Sequence, residues 1–167
     1  EAACKEVYCA YDYAQYIDKG PHEKTREAAC VNQFYTLKYA ENIDKIGTNI
    51  TRKSYCIDAR NAYKYAYYVE GPNDITRNIA CEQPEYAYLY AKDIDKKPRD
   101  DTRKAACKSS VWAVNYAKDV DKGQHEVTKE AACRDPYEAY LYSFFIIKKP
   151  EKRIRRIVCQ DPKAAVC

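Results

Sequence analysis

Nine cysteines are the residues best equipped for chemistry in this chain of 167. Thiols can cross-link, hold a metal or act as nucleophiles, and their spacing separates these uses. Cys4, Cys30, Cys56, Cys81, Cys107, Cys133 and Cys159 follow one another at intervals of 26, 26, 25, 26, 26 and 26 residues, while Cys9 and Cys167 fall off that period. No C-x-x-C pair occurs, and the two histidines, His22 and His125, occupy one position of the period four copies apart. Structural zinc needs four convergent nitrogen or sulfur ligands, so neither a metal nor another cofactor is expected. There is no Ser/His/Asp or Cys/His set and no glycine-rich phosphate loop. The carboxylates lie at repeated positions, where a catalytic role would have to be repeated six times, so the sequence predicts no enzyme.

A fixed period in this range is the mark of a repeat architecture. Nine residues after each cysteine stands a tyrosine: Tyr13, Tyr39, Tyr65, Tyr90, Tyr116 and Tyr142. Alanine usually precedes it by three, a small residue follows it, and Ile17, Ile43, Val69, Ile94, Val120 or Ile146 comes four later. Those offsets draw one stripe of an amphipathic helix. A second, shorter phrase rich in helix formers closes each copy, as in Thr102-Arg103-Lys104-Ala105-Ala106-Cys107. All four glycines fall between the two phrases, as do Pro21, Pro72, Pro98 and Pro150, and glycine there is expected to end the first helix. Pro84, Pro136 and Pro162 sit three residues after a repeat cysteine, where a helix can start.

Neither helix is long enough to be stable alone. Each must bury its stripe against neighbouring copies, which predicts an all-α protein: a single α-solenoid domain of about six 26-residue helix-turn-helix repeats, at 4–29, 30–55, 56–80, 81–106, 107–132 and 133–158. The tyrosine row is read as core, packed on the next repeat's second helix. Both ends of the sequence fall within a repeat, which predicts either a stretch of a longer array or end-to-end docking into a filament.

Equivalent cysteines of packed hairpins should lie about 8–10 Å apart, beyond the ~7 Å that a disulfide spans. The periodic cysteines are therefore read as small buried apolar residues. Cys4 with Cys9, or Cys159 with Cys167, would instead staple the ends, which requires an oxidising, extracellular setting. Without those bridges the expected setting is cytoplasmic. No run of 18 apolar residues predicts a membrane span, and the net charge of +4 with mixed signs describes a soluble surface.

Two charged rows run with the period. Asp18, Asp44, Glu70, Asp95 and Asp121 end the first helix, with Ile147 breaking the row, and Arg26, Arg52, Arg77, Arg103, Lys129 and Arg155 lie on the second. They predict a ladder of ion pairs that orients the hairpins. The sharper alternative is a basic row tracking a nucleic-acid backbone with tyrosines as stacking platforms, a field the acidic row would largely cancel. Departures from the period point to a contact surface. A position that is polar elsewhere becomes Tyr67 in the third repeat and Phe144 in the sixth, the next position is Tyr68 or Phe145, and Ile147 follows in the sixth. Asn49-Ile50-Thr51 fits an N-glycosylation sequon in what should be an exposed turn.

The phrases from Glu85 to Lys96 and from Pro98 to Arg103 resemble a short helical repeat of long uncharacterised phage and bacterial proteins. That resemblance implies an array fold and transfers no activity. Sel1-like repeats also end in Ala-Cys phrases, but their longer unit carries paired cysteines that this period lacks. The sequence thus predicts a non-enzymatic structural or interaction protein whose partner is itself or another protein, with nucleic acid as the weaker alternative.

Overall fold

The computed structural model describes residues 6–159. Among them there are helices and no strand: α1 (Val7–Asp12), α2 (Glu23–Ala29), α3 (Gln33–Tyr39), α4 (Asn49–Tyr55), α5 (Ala59–Tyr65), α6 (Asp74–Ala80), α7 (Pro84–Leu89), α8 (Asp100–Ala106), α9 (Ser110–Asp119), α10 (Glu126–Ala132), α11 (Pro136–Tyr142) and α12 (Lys152–Val158). The fold is an α-solenoid of helix-turn-helix repeats, with odd-numbered helices opening each repeat and even-numbered helices closing it. The chain divides into two compact units, Glu1–Ile79 and Ala80–Cys167. In the first, α1 pairs with α2 and α3 with α4, and α3 and α5 pack back on α2 and α4. In the second, α7–α8, α9–α10 and α11–α12 form the hairpins, and α9 and α11 pack back on α8 and α10.

Local chemistry sets the helix ends. Asn32, Asp58 and Asp135 cap α3, α5 and α11 with their side chains, Thr48 and Thr51 form a capping box at α4, and Pro84 and Pro136 occupy the first turn as their position implied. The closing helices are only seven residues long in every described copy, so their stability comes from packing.

Five opening helices widen into a π turn before they end: π1 (Tyr13–Asp18), π2 (Ala40–Asp44), π3 (Ala66–Glu70), π4 (Tyr90–Asp95) and π5 (Ser143–Ile147). The sixth, α9, closes the same way, with the Asp121 N–H bonded to the Tyr116 carbonyl at 3.0 Å, five residues back. In a regular helix two residues five apart point about 140° from each other. Closing over five residues instead brings them toward one side. The widened turn therefore turns the acidic position toward the face of the row tyrosine, five residues earlier.

The turn that follows is left-handed, and its residue is lysine. Lys19, Lys45, Lys96, Lys122 and Lys148 have φ between 52° and 57°, and Gly71 takes the same repeat position at φ 72°. The expectation that glycine ends the helices holds only there. Gly47 has a different reason: a Cβ on it would collide with the Glu70 side chain.

The core is small and aromatic. Tyr11, Ala14, Ala29, Tyr39 and Ile43 form one cluster of the first unit, and Ala40, Tyr55, Cys56, Ala62 and Tyr65 another. In the second unit Ala87, Tyr88, Ala91, Ala106, Tyr116 and Val120 pack together, as do Val114, Ala132, Ala139, Tyr142, Ile147 and Ile154. Of the tyrosine row, Tyr39, Tyr65, Tyr90, Tyr116 and Tyr142 are fully buried, whereas Tyr13 is 42% exposed.

Candidate interaction surface and the joints that leave it exposed

Tyr39, Tyr65, Tyr116 and Tyr142 each reach back to the closing helix of the preceding repeat, the reverse of the direction expected from sequence. Tyr39 shows the geometry. Its hydroxyl accepts from the His22 N–H at 3.1 Å, and the His22 carbonyl accepts from it at 3.1 Å. Thr25 Oγ1 lies 2.8 Å from the same hydroxyl. His22 is the residue before α2, so the tyrosine satisfies backbone groups that a short helix leaves open at its start. The arrangement repeats with Tyr65 and Thr51 at 2.6 Å, Tyr116 and Thr102 at 2.9 Å, and Tyr142 and Thr128 at 3.1 Å. Burial pushes the Tyr65 phenol up to about 12, and burial also raises that of Tyr116.

The charged ladder is part of the same joint. Arg26 grips Asp44 through Nε and Nη2, the shorter contact being 2.7 Å, and its Cζ lies 5.9 Å from the Tyr39 ring centre. Arg52 meets Glu70 at 2.6 Å. Arg103 meets Asp121 at 2.8 Å, holds Asp100 at 2.6 Å and covers Tyr116 at 5.6 Å. Hydrogen bonding to Asp121 raises the guanidinium of Arg103 above its ordinary range against the cost of burial. Arg77 is buried and paired with Asp74. A buried forked pair is stronger and more directional than the exposed contacts that a surface ladder would supply.

The sixth repeat modifies the joint coherently. Ile147 replaces the acid, and Ile154 stands where the other closing helices carry threonine; both are buried in one cluster. Lys129, left without that acid, meets Glu151 at 2.6 Å. Ile147 is only 7% exposed and so does not belong to the contact surface that sequence assigned it to.

The other members of that surface are exposed. Tyr67 and Tyr68 are each 55% exposed, with ring centres 5.0 Å apart in an edge-on pair, and Tyr63 flanks Tyr67 at 5.9 Å. Phe144 and Phe145 form the same edge-on pair at 5.0 Å, and Tyr140 flanks Phe144 at 6.0 Å. Two different repeats thus display matching aromatic triplets.

Of the basic row, Arg26, Arg52, Arg103 and Lys129 are committed to carboxylates, while Arg155 is exposed. The row therefore does not form the outward charged track that the nucleic-acid alternative needs. The sequon also reads differently: Thr51 is the buried partner of Tyr65 in the first turn of α4, so the repeat itself accounts for it.

Among the described residues Cys9, Cys30, Cys56, Cys81, Cys107, Cys133 and Cys159 are free thiols, and no group of His, Cys, Asp and Glu could hold a metal. Cys4 and Cys167, one in each proposed end staple, lie outside the described residues. Burial pushes Cys56 up to about 12 and Cys107 up to about 11, values opposite to those of a reactive thiolate. No helix among the described residues is long and apolar enough to cross a membrane.

The threonine row was missed from sequence, although its signal was present: each threonine stands 14 residues before the next tyrosine of the row, in Thr25, Thr51, Thr76, Thr102 and Thr128. The chain matches no protein-family model, no curated protein and no solved structure.

Proposed function

We propose that the chain is a non-enzymatic structural and interaction protein: a helical repeat array that presents aromatic patches to a protein partner. The observation that carries this reading is the division of its side chains. In most repeats the tyrosine, threonine, arginine and acidic groups are spent on joints between hairpins, while the aromatic residues Tyr67, Tyr68, Phe144 and Phe145 that break the repeat face outward. Paired exposed rings are costly to leave in water and suit a contact surface. The resemblance to phage and bacterial helical repeats agrees with an array role. Photoreactive benzoylphenylalanine in place of Tyr67 or of Phe144 tests the proposal in cells that make the protein. Discrete protein adducts are expected from both sites and not from exposed Lys53; adducts no stronger than those from Lys53 would refute it.

A second reading, head-to-tail self-assembly, rests on the first described hairpin. Tyr13, Ile17 and Asp18 hold the positions of a joint yet are exposed, and Arg155 of the basic row is exposed as well. A second copy could complete this joint, and unlike faces docking in series build filaments. Sedimentation velocity over a dilution series decides it: growing boundaries with concentration support assembly, and a constant monomer contradicts it.

A further inference from the structure

The sixth repeat carries more than an aromatic patch. Beside Phe144 and Phe145 runs an open groove of about 620 Å³ with Ala117 and Ile146 in its lining. Lys118, Lys122 and Lys148 also line it, and no carboxylate does. An adjoining hollow of about 410 Å³ adds Lys149 next to Tyr140 and Phe144.

The lack of acid is built into the sequence. Phe145 stands where the fourth and fifth repeats have Asp93 and Asp119, and Ile147 stands where all five earlier repeats have an acid. Two carboxylates of the preceding repeat are already committed. Asp119 accepts from Lys92 at 3.0 Å and from Tyr88, and Asp121 holds Arg103. The groove lining is therefore positively charged, with lysines and no carboxylate round an apolar floor.

We infer that this groove docks an acidic peptide segment of a partner protein that carries one large apolar side chain. The apolar side chain fills the space beside Phe144 and Phe145, and flanking carboxylates meet Lys118, Lys122 and Lys148. Ring geometry favours a peptide over single-stranded nucleic acid. Base stacking needs an open ring face, but Lys118 Nζ sits 4.7 Å from the centre of Phe145, and Tyr140 and Phe145 flank Phe144. Compact ammonium groups also suit carboxylates dispersed along a peptide. This assignment rests on the interaction reading above and names the chemistry of the partner.

Fluorescence anisotropy of the full chain at low salt tests it, with a labelled peptide of eight glutamates around one central leucine. Saturable binding is expected. It should fall at least ten-fold in Lys118→Glu/Lys148→Glu and in Phe144→Ser/Phe145→Ser, both altered at exposed positions, with circular dichroism unchanged. Tyr67→Ser/Tyr68→Ser should bind as the parent does. An all-glutamate peptide should bind at least ten-fold more weakly, and a nine-nucleotide oligothymidine should not compete. Absence of saturation, equal affinity for the all-glutamate peptide, tighter binding of oligothymidine, or indifference to the phenylalanine substitutions would each overturn the assignment. If the peptide fails while photoadducts from position 144 persist, the acidic-peptide assignment falls and the interaction reading stands. If the peptide binds and photoadducts are absent, the groove chemistry stands and the interaction reading falls.

Discussion

The Tyr116 hydroxyl lies 2.9 Å from Thr102 Oγ1, and the two residues belong to successive repeats. The same hydroxyl accepts from the Arg99 N–H and donates to the Arg99 carbonyl, each at 3.1 Å. One phenol thus fixes the start of one short helix to the middle of the next. Tyr116→Phe keeps the ring and its packing but strands these partners in a buried site. The expected loss is about 1–3 kcal/mol, read as a lower urea midpoint with an unchanged slope. A midpoint equal to that of the parent would show that the hydroxyl does not join the repeats.

The ion pair should be worth more to the array than an exposed one. Asp121→Asn removes the carboxylate facing a buried Arg103 while leaving Asp100 at 2.6 Å. Removing one member of a fully buried pair costs about 3–5 kcal/mol, and the retained Asp100 should reduce this to about 2–3 kcal/mol. Asp100→Asn, whose partner keeps the inner contact, should cost about 0–1 kcal/mol. Chemical denaturation of the two variants checks the order; equal losses would contradict it.

The left-handed lysines store strain that one substitution can relieve. Lys96 has φ 52°, a region in which a side chain is disfavoured and glycine is free. Lys96→Gly should raise stability by about 0.5–1 kcal/mol, net of the extra freedom glycine gives the unfolded chain. The third repeat already carries glycine at this position, so Gly71→Lys should do the reverse. Thermal unfolding measures both, and a destabilised Lys96→Gly would mean that the lysine side chain supports the turn.

Thiol chemistry should divide by burial. Cys56 and Cys107 are buried, and burial pushes them up to about 12 and about 11, whereas Cys159 is exposed. At pH 8 the folded protein should label at Cys159 at least a hundred times faster than at Cys56 or Cys107. Reactivity of the two buried thiols should rise only near their raised values or on unfolding. Peptide mapping after timed alkylation resolves them; comparable rates at neutral pH would contradict the packing.

The fold was legible because it is a matter of period. Cysteine and tyrosine at fixed intervals define the paired helices, and the glycine and proline positions place the breaks between them. The joint was half legible. The Asp and Arg rows were visible as rows, but the π turn that swings Asp44 or Asp121 toward the tyrosine cannot be seen in a pattern built on 3.6 residues per turn. That is also why the tyrosines were assigned to the wrong neighbouring helix. Tyr67, Tyr68, Phe144 and Phe145 stood out because they break the repeat, and they are exposed. Ile147 broke it too, but a change at a joint position is absorbed by its partner, here Ile154. The left-handed lysines gave no warning, since lysine in a polar turn is ordinary in composition and unusual only in φ.

The central claim is that Tyr39, Tyr65, Tyr116 and Tyr142 are locked inside joints between hairpins, while the rings that break the repeat stay exposed. A pH titration of the intact chain, followed by carbon NMR of labelled tyrosine rings, tests it most directly at Tyr65 and Tyr116. Burial raises both phenols, Tyr65 to about 12. The protonated form is therefore favoured by folding: the stability it lends is complete below the ordinary value near 10 and is lost as pH climbs through the folded values. Tyr65 should remain protonated through pH 10.5 while the fold is intact, and Tyr116 should ionise later than an ordinary exposed tyrosine. Ionisation of Tyr65 and Tyr116 near pH 10 in a folded chain would place them in water and contradict the account.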